Sequence, residues 1–131
     1  MVKLFTPGQV YLVYNPGTNL GKRTHALALS VNSVVHEIDA ASKTITRLHW
    51  KELLDMIGCS AADLLSHDHP DFKSVVKNDS YSEADWLEIL THNPQLLKGP
   101  IAVYHKKAVL CTDPKDILQL EEAWEAQLNR S

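Results

Sequence analysis

A run of five apolar residues that ends in a turn limits the folds open to this chain more than any other feature of its sequence. The segment Val10 to Tyr14 reads Val-Tyr-Leu-Val-Tyr and stops at Asn15-Pro16-Gly17. It lacks the polar alternation of a strand that has one face in water, and is typical of a strand buried on both faces. The run therefore predicts the first strand of a sheet on which helices pack.

The residues after this turn predict a βαβ unit. Thr18 or Asn19 can N-cap a helix that Asn32 ends, and Val34 to Asp39 has the composition of a second strand. A strand, a helix and a strand this close together indicate a right-handed parallel connection. The apolar residues that suit a helix lying on a sheet are Leu20, Ala26, Leu27, Leu29 and Val31.

The middle of the chain, from about residue 45 to 93, has a helical pattern. Apolar residues at helical spacing predict a helix from Arg47 to Ile57, which Gly58 ends. Two capping boxes, Ser60 to Asp63 and Ser82 to Asp85, predict two further helices. We also expect a short helical turn from Phe72 to Val76.

The signal returns to strand after this region. Ile101 to Tyr104 and Ala108 to Cys111, separated by a polar turn, predict a β-hairpin. Asp113-Pro114 then places an N-cap and a first-turn proline before a last helix. The apolar positions of that helix are Ile117, Leu120, Trp124 and Leu128. The whole order predicts an α/β fold, a thioredoxin-like mixed four-stranded sheet (βαβ…ββα) with a helical insert between the second and third strands.

Size and charge narrow the functional classes. The chain has 131 residues, of which 44% are hydrophobic, so we expect one domain over residues 1–131. Its 13 basic and 16 acidic residues give a net charge of −3, which leaves no positive excess for non-specific nucleic-acid or membrane binding. Apolar stretches far below the roughly 20 residues of a membrane span, and an N-terminus without a signal-peptide pattern, predict a cytoplasmic protein.

The residues that most often bind metals or carry redox chemistry are sparse. The two cysteines, Cys59 and Cys111, have no CxxC partner, which argues against a disulfide scaffold and a structural zinc site. We expect Cys111 to be a buried strand residue and Cys59 to lie in a loop. The segment His67-Asp68-His69 has metal-ligand residue types but no further ligand close in sequence. We therefore predict no metal and no cofactor.

Four short motifs, in one order, resemble the bacterial arsenate reductases of the ArsC type and their relatives, the Spx regulators and nitrogenase-associated proteins. The most specific is Leu90 to Val103, which carries Asn93-Pro94 and Gly99-Pro100. The others are Val109-Leu-Cys111 before a helix, Asn15-Pro16, and Ala26-Leu27. The resemblance covers nearly the whole chain from Val10. It implies a thioredoxin-like, glutaredoxin-like fold and, for a typical member, glutaredoxin-dependent reduction of arsenate.

The sequence departs from this family at the residues that carry its chemistry. The family's loop reads Asn-Pro-x-Cys, and the resemblance puts Thr18 at the place of that cysteine. The family's three arginines correspond to Gly99, Thr112 and a position near Ser66. A threonine hydroxyl cannot cycle through a mixed disulfide. The resemblance therefore implies a member without the family's redox chemistry, a binding or regulatory module.

The candidate ligand-binding residues lie on two segments that the fold would bring together. First-turn N–H groups, a glycine and two cations could form an anion pocket, although a plain N-cap with solvated charges is the stronger interpretation of the same residues. The resemblance further implies a cis Gly99–Pro100 bond that faces this loop and leaves a backbone edge for a peptide or glutathione. The candidates are Thr18, Asn19, Gly21, Lys22, Gly99 and Pro100.

Two alternatives remain open from the sequence. The first is a residual thiol-dependent, arsenate-reductase-like oxidoreductase, which requires Cys59 or Cys111 to reach the Thr18 region. The second is an Spx-like partner of RNA polymerase, although the CxxC switch is absent and Gly99 precedes Pro100 where those regulators have arginine. The expected partner is an unknown protein or a small anion or glutathione-like ligand.

Overall fold

The structure is a computed structural model that describes residues 5, 8–31, 34–42, 45–77 and 80–120. Within this part of the chain, one sheet contains four strands in the order β2-β1-β3-β4. They are β1 (Val10–Tyr14), β2 (Val35–Asp39), β3 (Ile101–Tyr104) and β4 (Lys107–Leu110). Strand β2 is parallel to β1, whereas β3 is antiparallel to both β1 and β4. This is the mixed four-stranded sheet that the sequence predicts.

The apolar run Val10–Tyr14 is central in this sheet, and all five of its residues are buried. Side chains alternate between the two faces of a strand. Tyr11 and Val13 accordingly join one apolar cluster, and Leu12 and Tyr14 join the other. The sheet therefore separates two cores, and the chain leaves the sheet between them at Asn15, directly after β1.

Helices cover both faces. Helix α1 (Asn19–Val31) and a 3₁₀ helix at Pro114–Leu120 pack with each other on one side. The other core receives the elements between β2 and β3, which are all helical. They are α2 (Arg47–Ile57), a 3₁₀ helix at Ala61–Leu64, α3 (Phe72–Val75), α4 (Glu83–His92) and a 3₁₀ helix at Pro94–Leu96.

The local signals of the insert are confirmed. Helix α2 has the predicted bounds, and Gly58 ends it with a φ of 84°. The capping boxes at Ser60 and Ser82 are both formed. The helix after Pro114 is described as far as Leu120 and is 3₁₀. The predicted positions Trp124 and Leu128 lie outside the described residues.

The buried face of α1 differs from the predicted one. Gly21, Thr24 and Ala28 are buried, whereas Leu29 is 44% exposed. Ala28 joins the apolar cluster on this face of the sheet, and the Thr24 hydroxyl is satisfied by donating to Leu20 O at 2.8 Å. Apolar residues alone therefore mispredicted the packed face. The predicted end at Asn32 lies outside the described residues.

The expected cis Gly99–Pro100 bond was wrong, since no peptide bond of the described residues is cis. The trans form is favoured at X–Pro bonds by roughly 0.5–1 kcal/mol. Here Pro100 O accepts a hydrogen bond from Cys111 N at 2.7 Å, which continues the β3–β4 pairing. Gly99 has no Cβ, so its backbone can lie close to that of Cys111. The segment before β3 therefore reaches the strand with a trans bond at Pro100.

Candidate functional site: the loop–proline cavity

The loop after β1 is held by the side chain of Thr18. Its hydroxyl donates to Asn15 O at 2.8 Å and accepts from Gly21 N at 3.0 Å. The second bond satisfies an N–H of the first turn of α1, which makes Thr18 the N-cap of the helix. Of the two N-cap candidates, the structure selects Thr18. Its hydroxyl is thus engaged on both sides within its own loop.

Gly21 lies beneath this loop. A Cβ at Gly21 would lie 2.7 Å from Asn15 O and from Thr18 Oγ1, and 2.8 Å from a ring carbon of Tyr14. The missing side chain therefore makes room for the protein's own turn. The neighbouring candidates Asn19 and Lys22 are exposed and do not line the cavity described next.

A cavity of about 400 Å³ lies between the loop and the approach to β3. We call it the loop–proline cavity. The residues that line it come from the loop, from the helical insert and from the segment before β3. They are Asn15, Thr18, Leu20, Ser66, His69, Gln95, Leu97, Lys98, Gly99 and Pro100. The structure thus brings together Thr18, Gly99 and Pro100, three of the six sequence-predicted residues, while their contact with a ligand stays a prediction.

Main-chain and side-chain hydrogen bonds join the walls of the cavity. Asn15 Nδ2 donates to Pro94 O at 3.2 Å, which ties the loop to the end of the insert. Ser66 N donates to Leu96 O and Lys98 N to Leu64 O, both at 2.7 Å. The cavity is therefore built from all three segments at once and does not depend on the helix N-terminus alone.

Sequence reasoning missed the insert wall of the cavity. His69 Nδ1 accepts a hydrogen bond from Asp71 N at 3.0 Å, and Gln95 Nε2 donates to Asp71 Oδ2 at 3.4 Å. The sequence marks His69 only by its metal-ligand residue type beside His67, and it gives no signal that distinguishes Gln95. Both residues are far from Thr18 in sequence, and no local pattern connects them to it.

The positions that the resemblance assigns to arginines hold no cation. A Cβ at Gly99 would lie 2.2 Å from Cys111 O and 3.1 Å from its carbonyl carbon, so this position has no room for a side chain. Thr112 N and Oγ1 both bond the Asp116 carboxylate, at 3.0 and 3.3 Å. Among the lining residues, the only lysine or arginine is the exposed Lys98. The cavity is consequently poor in positive charge.

Neither cysteine lines the cavity. Cys111 follows β4, is fully buried as expected, and its thiol lies 3.8 Å from Val109 O. Burial, with a contribution from the Asp116 carboxylate, raises the pKa of Cys111 to about 12. Cys59 follows Gly58 and is half-buried; burial and the carboxylates of Asp63 and Glu83 raise its pKa as well. Both thiols are therefore poorer nucleophiles than an ordinary cysteine at neutral pH.

A metal site and a membrane span would each need particular groups among the described residues. No three His, Cys, Asp or Glu side chains among them are grouped as a metal ion would need. None of the helices seen in this part of the chain combines the length and the apolar character of a membrane span.

Comparisons with known proteins agree with the fold described above. The sequence profile of the ArsC family matches residues 23–120. No curated protein sequence matches the chain. A Yersinia pestis structure described as a "putative arsenate reductase" superposes with a TM-score of 0.78 and 22% identity, over 85% of this chain and 99% of its own. The arsenate reductase from Vibrio cholerae gives 0.77 and 18%, over 87% and 98%.

A protein from Brucella melitensis that is related to arsenate reductase covers 92% of this chain and 98% of its own, with a TM-score of 0.59 and 16% identity. Structural similarity at such low identity supports the fold only. The profile match covers most of the chain but begins after the Thr18 loop. On that match, the chain belongs to the ArsC family.

Proposed function

We propose that this chain is a non-catalytic member of the ArsC family, a pseudoenzyme whose loop–proline cavity binds a peptide or small anion, such as a glutathione-like ligand, as a binding or regulatory module. The observation that carries the proposal is the state of Thr18. Its hydroxyl caps α1 at the edge of the cavity, where the resemblance expects a reactive thiol.

The charge of the cavity supports the same proposal. A reductase of oxyanions has to hold its substrate, and cationic side chains are the usual means. Gly99 cannot carry any side chain without a clash against Cys111 O. Thr112 is bonded to a carboxylate instead of presenting a cation. Nucleophile and clamp are thus both missing at the positions where the resemblance would place them.

The alternative of a residual thiol oxidoreductase receives no support from either cysteine. The backbone of Cys111 lies against Pro100, but its thiol is buried in the core beneath α1. Cys59 packs on the opposite core, beside acidic residues that raise its pKa. A role as an Spx-like partner of RNA polymerase is not favoured by the sequence, in which the CxxC switch is absent and Gly99 stands before Pro100.

The proposal is tested by comparing glutathione with S-methylglutathione, which lacks a free thiol. Both are titrated while the backbone amide shifts of Thr18 to Lys22 and of Gly99 are followed by NMR. We expect the same amides to shift with equal dissociation constants, because binding uses no sulfur chemistry. A covalent adduct formed by glutathione alone would contradict the proposal. So would the absence of shifts with both tripeptides and with phosphate and sulfate.

A further inference from the structure

The insert wall of the loop–proline cavity presents one donor and one acceptor of defined kind. Because His69 Nδ1 accepts from Asp71 N, the neutral ring carries its proton on Nε2, which is then a donor. Because Gln95 Nε2 donates to the Asp71 carboxylate, Gln95 Oε1 is left as an acceptor. Neither His69 Nε2 nor Gln95 Oε1 has a hydrogen-bond partner among the described residues. Asp71 thus orients both side chains.

A donor and an acceptor on one wall of the cavity match an amide, which offers a C=O and an N–H of its own. An oxyanion offers acceptors only. It could accept from His69 Nε2–H, but it would also meet the Gln95 oxygen on a side chain bonded to the Asp71 carboxylate, and the only lysine or arginine among the lining residues is the exposed Lys98. The wall therefore favours an uncharged amide over phosphate or arsenate.

The segment before β3 provides a second donor–acceptor pair. Leu97 forms an isolated antiparallel bridge with Leu65. The hydrogen bonds of this bridge are made by Leu96 O and Lys98 N, on either side of Leu97, so the groups between them point away from Leu65. Leu97 C=O and Gly99 N–H, which belong to residues lining the cavity, have no hydrogen-bond partner among the described residues. Two such pairs suit a ligand in which amides repeat.

We propose that the loop–proline cavity binds an uncharged, extended peptide segment, one amide of which is recognised by His69 Nε2–H and Gln95 Oε1, with Asp71 positioning both. This inference rests on the proposed function and names the ligand class of the same site. The cavity, at about 400 Å³, takes a short piece of peptide and not a folded surface.

The test uses tetra-alanine blocked by an acetyl group and an amide, so that the probe carries amides and no charge. It is titrated into the full chain while the NMR amide shifts of Thr18, Ser66 and Gly99 are followed. We expect saturating shifts. We expect His69→Phe and Gln95→Leu each to weaken binding on the order of tenfold, because each leaves a polar group of the ligand without its partner.

Matched controls come from the same residue types outside the cavity. His36 lies on β2 with its ring beside Tyr11, so His36→Phe keeps a ring there. Gln119 lies on the 3₁₀ helix after β4. Both His36→Phe and Gln119→Leu should bind tetra-alanine as the unchanged protein does. The amide spectrum of each variant without ligand reports whether it is folded. Because two separate side chains are tested, the loss of one variant to misfolding leaves the other informative.

Three results would overturn this inference. They are the absence of shifts with tetra-alanine, saturating shifts with inorganic phosphate in preference to tetra-alanine, and binding that neither His69→Phe nor Gln95→Leu weakens. None of these results decides the proposed function, which fails on the glutathione and S-methylglutathione comparison. The two proposals can therefore fail separately.

Discussion

At the scale of single residues, Thr18 has a structural duty that can be measured apart from any ligand. Its hydroxyl accepts from Gly21 N as the N-cap of α1. We expect Thr18→Ala to lower the free energy of unfolding by about 1 kcal/mol, and Thr18→Ser to retain most of the stability because it keeps the hydroxyl. Urea denaturation of the three proteins measures both effects. Equal stability of the alanine variant and the unchanged protein would show that the N-cap does not contribute to the free energy of unfolding.

Cys111 gives a second test at this scale, through the dependence of stability on pH. Its folded pKa, raised to about 12, lies above the ordinary value of 9.0. The thiol therefore contributes stability that is fully present below pH 9.0 and is lost as the pH rises towards 12. At about pH 10.5 we expect the stability advantage of the unchanged protein over Cys111→Ala to have shrunk by about 2 kcal/mol from its value at about pH 8.

The measurement is urea unfolding at the two pH values in the presence of a reductant. Cys59→Ala is the matched control. Because the Cys59 thiol is only half-buried, the stability that it contributes should fall less between the two pH values than that of Cys111. A stability advantage that stays constant between the two pH values would contradict the burial of the Cys111 thiol.

At the scale of elements, the approach of the segment before β3 to the end of β4 depends on Gly99. A Cβ there would lie 2.2 Å from a backbone oxygen that cannot rotate away. We expect Gly99→Ala to lower the free energy of unfolding by about 1–3 kcal/mol, the usual range for overpacking. Gly17→Ala is the control, since a Cβ at Gly17 would meet nothing within 4 Å. Thermal or urea denaturation that ranks the two variants equally would contradict this close packing.

At the scale of the whole molecule, sequence patterns within a single segment correctly predicted the strands, helices and helix caps that depend on local residues. The apolar run of β1, the α2 stripe ended by Gly58 and the two capping boxes depend on neighbours close in sequence, and each was confirmed. The packed face of α1 was mispredicted because small residues, and not Leu29, occupy the buried side of the helix. The spacing of apolar residues in one helix does not predict which face another element will bury.

The candidate site likewise contains residues that sequence motifs mark and residues whose arrangement depends on the fold. Motifs mark the loop and the proline segment, and the structure brings Thr18, Gly99 and Pro100 to one cavity, while their contact with a ligand stays a prediction. The cis bond was expected from the resemblance alone and is absent from the described residues. His69 and Gln95 could not be found, because their orientation depends on Asp71 and on the fold of the insert.

The proposed function requires that this chain keeps the fold of the ArsC family without its redox chemistry. The most direct measurement is the reduction of arsenate by the purified chain in the presence of glutathione and glutaredoxin. We predict a rate equal to that of the reaction without the protein, because Thr18 provides no thiolate and Gly99 admits no clamping side chain. Turnover above that control would contradict the account, and its loss in Cys59→Ser or Cys111→Ser would identify the thiol responsible.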